Sequence, residues 1–120
     1  MLYIRPYTSE DQEPDLLALR EEGKLAYLAY AGKERIGCVI YHMEEEMLCI
    51  ESVDAQEEAL FDGLIRAVCD AAVQSEISAV RFEENVDRRI LKNLGVPIDS
   101  EGILHEISAF LHNCSHCKLC

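Results

Sequence analysis

The last residues of the chain form a cysteine cluster whose spacing suits metal chemistry. Cys114, Cys117 and Cys120 follow a C-x-x-C-x-x-C pattern, and His112 or His116 would supply a fourth ligand. Three thiolates and an imidazole are ligands that zinc binds in proteins. The same spacing occurs in iron–sulfur proteins, which need a further, correctly placed cysteine. Because all these ligands come from one terminal segment, the alternative interpretation is a redox-sensitive tail without a metal.

The other cysteines have a different setting. Cys38, Cys49 and Cys69 each lie within an apolar pattern, where a free thiol behaves as a small hydrophobic residue. The start of the chain lacks the basic-then-apolar pattern of a signal peptide, so we expect reduced thiols and a cytoplasmic protein. No apolar run is long enough to cross a bilayer.

The charge balance excludes several classes of partner. The 120 residues include 23 aspartates and glutamates but only 11 lysines and arginines, which gives a net charge of −12. Such a field repels phosphate backbones and anionic lipid headgroups, so we expect neither a nucleic acid nor a membrane as partner. The length fits one hydrophobic core. We therefore expect a single domain over residues 1–112, followed by a cysteine-rich tail over residues 113–120.

Apolar periodicity and turn residues divide the chain into six strands and three helices. The predicted strands cover residues 1–7, 24–31, 36–43, 47–53, 77–82 and 103–111. The first predicted helix begins after Thr8 or Ser9 and ends at Gly23. The other two predicted helices cover residues 56–75 and 87–94. The order is β-α-β-β-β-α-β-α-β. This order predicts an α/β (α+β) fold, in which helices flank a mixed, mostly antiparallel sheet.

The strongest single prediction is the helix over residues 56–75. Its apolar side chains recur at helical spacing, and charged residues occupy the opposite face four residues apart. A stripe this wide indicates a helix that packs against the sheet.

Several local patterns, in this order of elements, resemble the GCN5-related N-acetyltransferase (GNAT) family. Gly37 matches the glycine that opens a hairpin strand in the family, and Val53-Asp54 matches the V-x-P end of its fourth strand. The stretch 64–67 (LIRA) resembles the family's LLRA helix segment. Asn85, followed by 94–96 (LGV), resembles the family's N…L-G-F pattern. The resemblance covers nearly the whole chain and implies transfer of an acetyl group from acetyl-CoA to an amine.

The resemblance also implies where acetyl-CoA would bind. In the family, a segment Q/R-x-x-G-x-G/A opens the main helix, and its backbone N–H groups hold the pyrophosphate. Alignment on the LIRA stretch places Gln56, Ala59 and Phe61 at the three motif positions. The cofactor-binding residues implied in this way are Val53, Gln56, Glu57, Glu58, Ala59, Leu60, Phe61 and Asn85.

The chain departs from the family pattern at this segment and beyond it. Phe61 replaces a small residue with a bulky ring, and Glu57 and Glu58 add negative charge beside the implied phosphate site. Leu91 stands where the family often has a tyrosine that protonates the leaving thiolate. Only one helix fits before the second strand, whereas the family usually has two.

Acetyl transfer to an amine needs a base, and two carboxylates are candidates near the fourth strand. The resemblance places the family's usual glutamate nearest Met47. Glu51 shares the strand face of Met47 and is the better candidate, because Glu46 needs a shift of one residue to reach that position. Either side chain can instead be an exposed strand carboxylate. The acceptor would be a small-molecule or peptide amine, and the resemblance also suggests a homodimer. The alternative functions are a catalytically degenerate binding module and a metal- or redox-responsive protein.

Overall fold

Six strands pair into one sheet in their order along the sequence. The computed structural model describes residues 2–8, 10, 11 and 13–112. The strands are β1 (Leu2–Pro6), β2 (Leu25–Ala31), β3 (Glu34–Glu44), β4 (Met47–Ala55), β5 (Ala79–Phe82) and β6 (Ile103–Leu104). A short 3-10 helix (Pro14–Leu16) leads into α1 (Leu17–Glu21), and the remaining helices are α2 (Glu58–Gln74), α3 (Arg88–Asn93) and α4 (Ile107–His112).

The predicted order of elements is confirmed up to β6, and the last predicted strand is wrong over most of its length. Only Ile103 and Leu104 extend the sheet, and the chain then forms α4. Ile107 and Phe110 are both buried on this helix. Their separation of three residues fits a helical turn better than strand alternation, so the apolar density of this segment was misleading.

The sheet is antiparallel except between β4 and β5. These two strands pair only as far as Ile50 and Phe82, although β4 continues to Ala55. At the same point β4 carries one extra residue, because Tyr41 faces Ile50 and Ile40 faces Ser52, which leaves Glu51 without a partner on β3. A bulge of this kind bends a strand and redirects its side chains. The parallel strands therefore part from residue 51 onward.

Each face of the sheet has its own apolar core. The main core lies under the last three helices and includes Leu64, Ile65 and Val68 of α2. On the opposite face, Leu16 and Leu19 cover a smaller cluster on the N-terminal strands. No helix within the described residues is both long and apolar enough to span a membrane.

Gly37 has a close-packed position where three elements meet. A Cβ atom there would lie 3.0 Å from the Asp54 carbonyl oxygen, 3.0 Å from Leu60 and 3.2 Å from Leu64. The missing side chain thus lets β3 approach both the end of β4 and the start of α2. This contact fixes α2 relative to the place where β4 leaves β5.

Candidate active site

The parting of β4 and β5 carries a half-buried carboxylate in an ionic network. The two oxygens of Glu51 contact different cations: Oε1 lies 2.9 Å from Lys24 Nζ, and Oε2 lies 2.5 Å from His42 Nδ1. Lys24 reaches this position because Gly23, with a φ of 73°, ends the α1 segment and turns the chain into β2. His42 arrives from β3. Two segments thus converge on the carboxylate of a third.

His42 lies between two carboxylates. Its Nε2 is 2.8 Å from Glu44 Oε2, while its Nδ1 contacts Glu51. A carboxylate only accepts hydrogen bonds, so both ring nitrogens must donate, and the imidazole is protonated when both contacts form. The Glu44 hydrogen bond, helped by Glu51 and opposed by partial burial, raises the pKa of His42 above its usual value.

The charges around Glu51 hold it in the ionised state. Partial burial alone would raise the pKa of this carboxyl, but the hydrogen bonds from Lys24 and His42 outweigh it and lower the pKa. Glu83, immediately after β5, has a carboxylate oxygen within 4.8 Å of both the Glu51 and the His42 ligand atoms. Among the described residues, Glu83 has no ion-pair partner. These side chains line an open cleft of about 400 Å³.

The network continues away from the cleft to Glu44. Its Oε2 atom also accepts hydrogen bonds from Arg81, at 2.8 Å, and from the Cys49 thiol, at 3.3 Å. Burial raises the pKa of Cys49 to about 12, so this thiol is not a ready nucleophile. His42, Glu44 and Cys49 have the donor types of a metal site, but Arg81 already neutralises the shared carboxylate. The predicted zinc ligands Cys114, His116, Cys117 and Cys120 lie outside the described residues.

The start of α2 has the features of an anion site together with features that oppose one. Glu57 caps the helix in an extended conformation, with no side-chain hydrogen bond to the first turn. The first backbone N–H group bonded back to the cap residue is that of Phe61, so the amides of residues 58–60 point out of the helix end. Glu57 and Glu58 are both exposed at this end. The Asn93 side-chain amide donates a long, weak hydrogen bond of 3.5 Å to Glu58.

The structure corrects the interpretation of Phe61. The sequence suggests a bulky ring at the implied phosphate site, but the ring is 3% exposed and belongs to the main core. Its position fits the apolar stripe of α2, whose neighbouring members Leu60 and Leu64 are also buried. The ring is therefore not an obstacle on the exposed helix end.

The other predicted site residues are spread over β4, the start of α2 and two turns. Val53 packs partly against the main core beyond the bulge, and Gln56 and Ala59 are exposed before and within the first turn of α2. Asn85 is exposed in the turn after β5. Glu46 lies in the turn between β3 and β4, and five residues of strand separate it from Glu51 by about 16 Å. The structure does not bring Glu46 to the cleft.

Sequence reasoning missed the partners of Glu51. No motif in the sequence points to His42, Lys24 or Glu83. One signal was available: His42 lies on the predicted strand over residues 36–43, and Glu51 lies on the next predicted strand, over residues 47–53. The bulge that aligns them depends on strand register, which the spacing of apolar residues does not reveal.

No sequence-family model matches the chain, and a comparison with curated protein sequences finds no match either. Solved structures do resemble it. An IAA acetyltransferase from Bacillus cereus superposes with a TM-score of 0.64 at 18% identity, over 83% of this chain and 79% of that chain. The ribosomal-protein-S18-alanine N-acetyltransferase from Escherichia coli superposes with a TM-score of 0.64 at 11% identity, over 83% and 80% of the two chains.

A third similar structure is a GNAT family acetyltransferase from Elizabethkingia anophelis with acetyl-CoA bound. Its TM-score is 0.58 at 18% identity, and the match covers 68% of this chain. The chain spans 63% of that protein, which is less than two thirds of its length. At these identities the likeness establishes the architecture. The chain has the GNAT fold, as its sequence motifs predict.

Proposed function

We propose that this protein is an acyl-CoA N-acyltransferase that transfers an acetyl group from acetyl-CoA to an amine. The observation that carries the proposal is the position of Glu51. This ionised carboxylate lies at the residue where β4 leaves β5, beside an open cleft. Acyl transfer to an amine needs a proton acceptor there, and the similarity in fold to acetyltransferases supports the same use.

The residues around α2 fit acetyl-CoA through their backbone. The unbonded amides of residues 58–60 and the positive end of the helix dipole suit a pyrophosphate. Val53 lies on β4 beyond the bulge, and Asn85 lies in the turn after β5. Glu57 and Glu58 lower the affinity by repulsion without blocking the amides. When bound, acetyl-CoA supplies an acyl group that its thioester linkage activates.

Glu51 accepts a proton from the ammonium group of the acceptor, which frees the nitrogen lone pair for attack. His42 orients the carboxylate through a 2.5 Å hydrogen bond and balances its charge. Since the pKa of Glu51 is lowered, the carboxylate is ready to accept a proton at neutral pH, although it is a weak base. Catalysis by such a group relies on position more than on base strength.

The leaving group needs little help from an acid. Leu91, at the position of the family's tyrosine, is fully buried in the main core and cannot donate a proton. A thiol has a pKa of about 8.5 in water, so its thiolate is an adequate leaving group near neutral pH. Solvent can then supply the proton.

Calorimetric titration of the reduced, metal-free full chain with acetyl-CoA tests this function. Micromolar binding corresponds to about −8 kcal/mol and gives a clear signal. S-acetylpantetheine, which lacks the pyrophosphate, is the matched ligand and should bind more weakly. Release of free thiol with a panel of amines then measures transfer. Absence of binding up to millimolar acetyl-CoA would contradict the proposal.

A second candidate is a GNAT-fold module that binds a ligand or partner without turnover. The buried Leu91 and the exposed carboxylates Glu57 and Glu58 favour it, because each departs from what the reaction uses. This candidate predicts acetyl-CoA binding, or binding of another ligand, with no thiol release for any amine. Formation of a homodimer stays a prediction that sedimentation would test.

A further inference from the structure

We propose that Lys24 is an internal acetyl acceptor, so that the protein acetylates itself at the mouth of the gap between β4 and β5. This inference rests on the proposed acyltransferase function and identifies one amine that the site would use. The observation behind it is the 2.9 Å contact between Lys24 Nζ and Glu51 Oε1. A primary amine of the chain thus occupies the position that an external acceptor must reach.

Lys24 differs from the other lysines in the described part of the chain. Lys33 lies in the exposed turn between β2 and β3, and Lys92 is exposed on α3. Neither has an ion pair there. Lys24 contacts Glu51 and, at 3.6 Å, Glu22, and its side chain is 29% exposed. It is therefore held in place and still open to the cleft.

The local fold explains why this lysine faces the base. The Lys24 backbone N–H donates to the Leu19 carbonyl at 2.8 Å, which closes the turn after α1. Gly23 provides the positive φ that this turn requires. Lys24 then precedes the first residue of β2, and its long side chain spans from there to β4. The backbone of this turn thus places the Lys24 amine beside Glu51.

The transfer step balances with acetyl-CoA as the donor. Glu51 takes one proton from the Lys24 ammonium group. The freed lone pair of Nζ forms the new amide bond to the acetyl carbonyl carbon. The nitrogen loses its second excess proton, the carbon–sulfur bond breaks, and the sulfur leaves with the electron pair and takes up one proton. Glu51 releases the proton that it accepted to solvent. Overall, one ammonium and one thioester give one amide, one thiol and one released proton.

Acetylation would also change the site itself. An acetyl-lysine is neutral, so the Lys24 ion pair with Glu51 is lost while the His42 contact is kept. Without its stronger cationic partner, Glu51 is open to the ammonium group of an external acceptor. Unmodified Lys24 is therefore a competitor of such acceptors, and modification removes it.

The test incubates the full chain with acetyl-CoA and no added amine, and quantifies acetylation of each lysine by peptide mass spectrometry. We expect Lys24 to react roughly 100-fold faster than Lys33 and Lys92, which is the gain typical of a positioned base. The rate constant should not depend on protein concentration. Glu51→Gln should reduce Lys24 acetylation to the level of Lys33, whereas Glu46→Gln, a matched change outside the cleft, should not.

A second readout needs no acetyl-CoA. In Lys24→Gln, which mimics the acetylated side chain, the pKa of Glu51 followed by NMR should rise, because a hydrogen bond that lowers it is gone. Lys33→Gln is the control. An unchanged Glu51 titration would show that the contact does not form in solution and would overturn the inference.

The outcomes separate the two proposals. Binding of acetyl-CoA with equal acetylation of Lys24 and Lys33 overturns only the inference about Lys24. No binding of acetyl-CoA overturns the proposed function and the inference together. Preferential Lys24 acetylation that persists in Glu51→Gln overturns the role of Glu51 in the step.

Discussion

The two ends of the candidate site differ in whether their carboxylates have cationic partners. At the parting of β4 and β5, Glu51 has two cationic partners, Lys24 and His42. At the start of α2, Glu57 and Glu58 are exposed and have no cationic partner among the described residues. The first arrangement fixes one carboxylate in a defined position. The second leaves two carboxylates in solvent.

This difference separates site chemistry from general helix chemistry. Acidic residues in a first turn stabilise a helix through its dipole, and solvent exposure costs them nothing. Glu51 lies on a strand and gains nothing from a helix dipole. The free-energy cost of partly burying its charge is offset only by specific partners. We therefore expect the proposed catalytic end to be well organised and the proposed phosphate-binding end to bind weakly.

The largest expected effect is the loss of acetyl-transfer activity in the Glu51→Gln variant. Loss of a positioned general base typically costs 100- to 10,000-fold in rate. We expect kcat/KM for amine acetylation to fall by that order while acetyl-CoA affinity is nearly unchanged, as measured by thiol release and calorimetry. Glu46→Gln should have no effect on either quantity. Equal activity of the two variants would remove Glu51 from the mechanism.

The next largest effect is a loss of stability in Gly37→Ala, because Gly37 lies where β3 contacts both the end of β4 and the start of α2. A Cβ atom at Gly37 would lie 3.0 Å from the backbone oxygen of Asp54, which cannot move as a side chain can. Overpacking of this kind costs about 1–3 kcal/mol, so Gly37→Ala should lower the free energy of unfolding by that amount in urea.

Gly63→Ala on α2 is the matched control for this substitution. There the new Cβ would meet only the flexible end of Ile4, at 3.0 Å. Alanine favours a helix over glycine by about 1 kcal/mol, so Gly63→Ala should be neutral or stabilising. A Gly37→Ala variant as stable as Gly63→Ala would show that the two ends are not held by this contact.

Much of the fold follows from the sequence, because apolar spacing reports which side of a strand or helix is buried. The α2 stripe and the strands over residues 36–43 and 47–53 are of this kind, whereas Gly37 was found through the resemblance to the GNAT family. The partners of Glu51 are not, because they depend on a bulge that shifts register by one residue between Ile40 and Tyr41. Phe61 shows a conflict between two sequence signals. Helical periodicity predicts that it is buried beside the apolar stripe of α2, whereas the family alignment places it at an exposed motif position.

A smaller effect should appear in acetyl-CoA binding when the two exposed carboxylates are neutralised. Two exposed like charges a few ångströms apart repel each other by about 1 kcal/mol or less in water, so Glu57→Gln and Glu58→Gln should each tighten binding by up to about 5-fold. Calorimetry at low ionic strength measures the change. The gain should shrink with added salt and should be missing for S-acetylpantetheine. A gain for both ligands would point to a general effect on the helix end.

The smallest effect is the dependence of stability on pH that His42 confers. Glu44 and Glu51 contact His42 directly, Glu83 lies nearby, and Lys24 and Arg81 balance these carboxylates.

The pKa of His42 is higher in the folded chain than the ordinary 6.5. Its contribution is therefore complete below about pH 6.5 and is lost as the pH rises through the folded value. We expect at most about 1 kcal/mol, because the network is partly open to solvent. Urea unfolding from pH 6 to 9 should show this loss in the natural chain and a flatter profile in His42→Gln. Parallel profiles would mean that the imidazole is neutral in solution, and the ordered state of Glu51 would then depend on Lys24 alone.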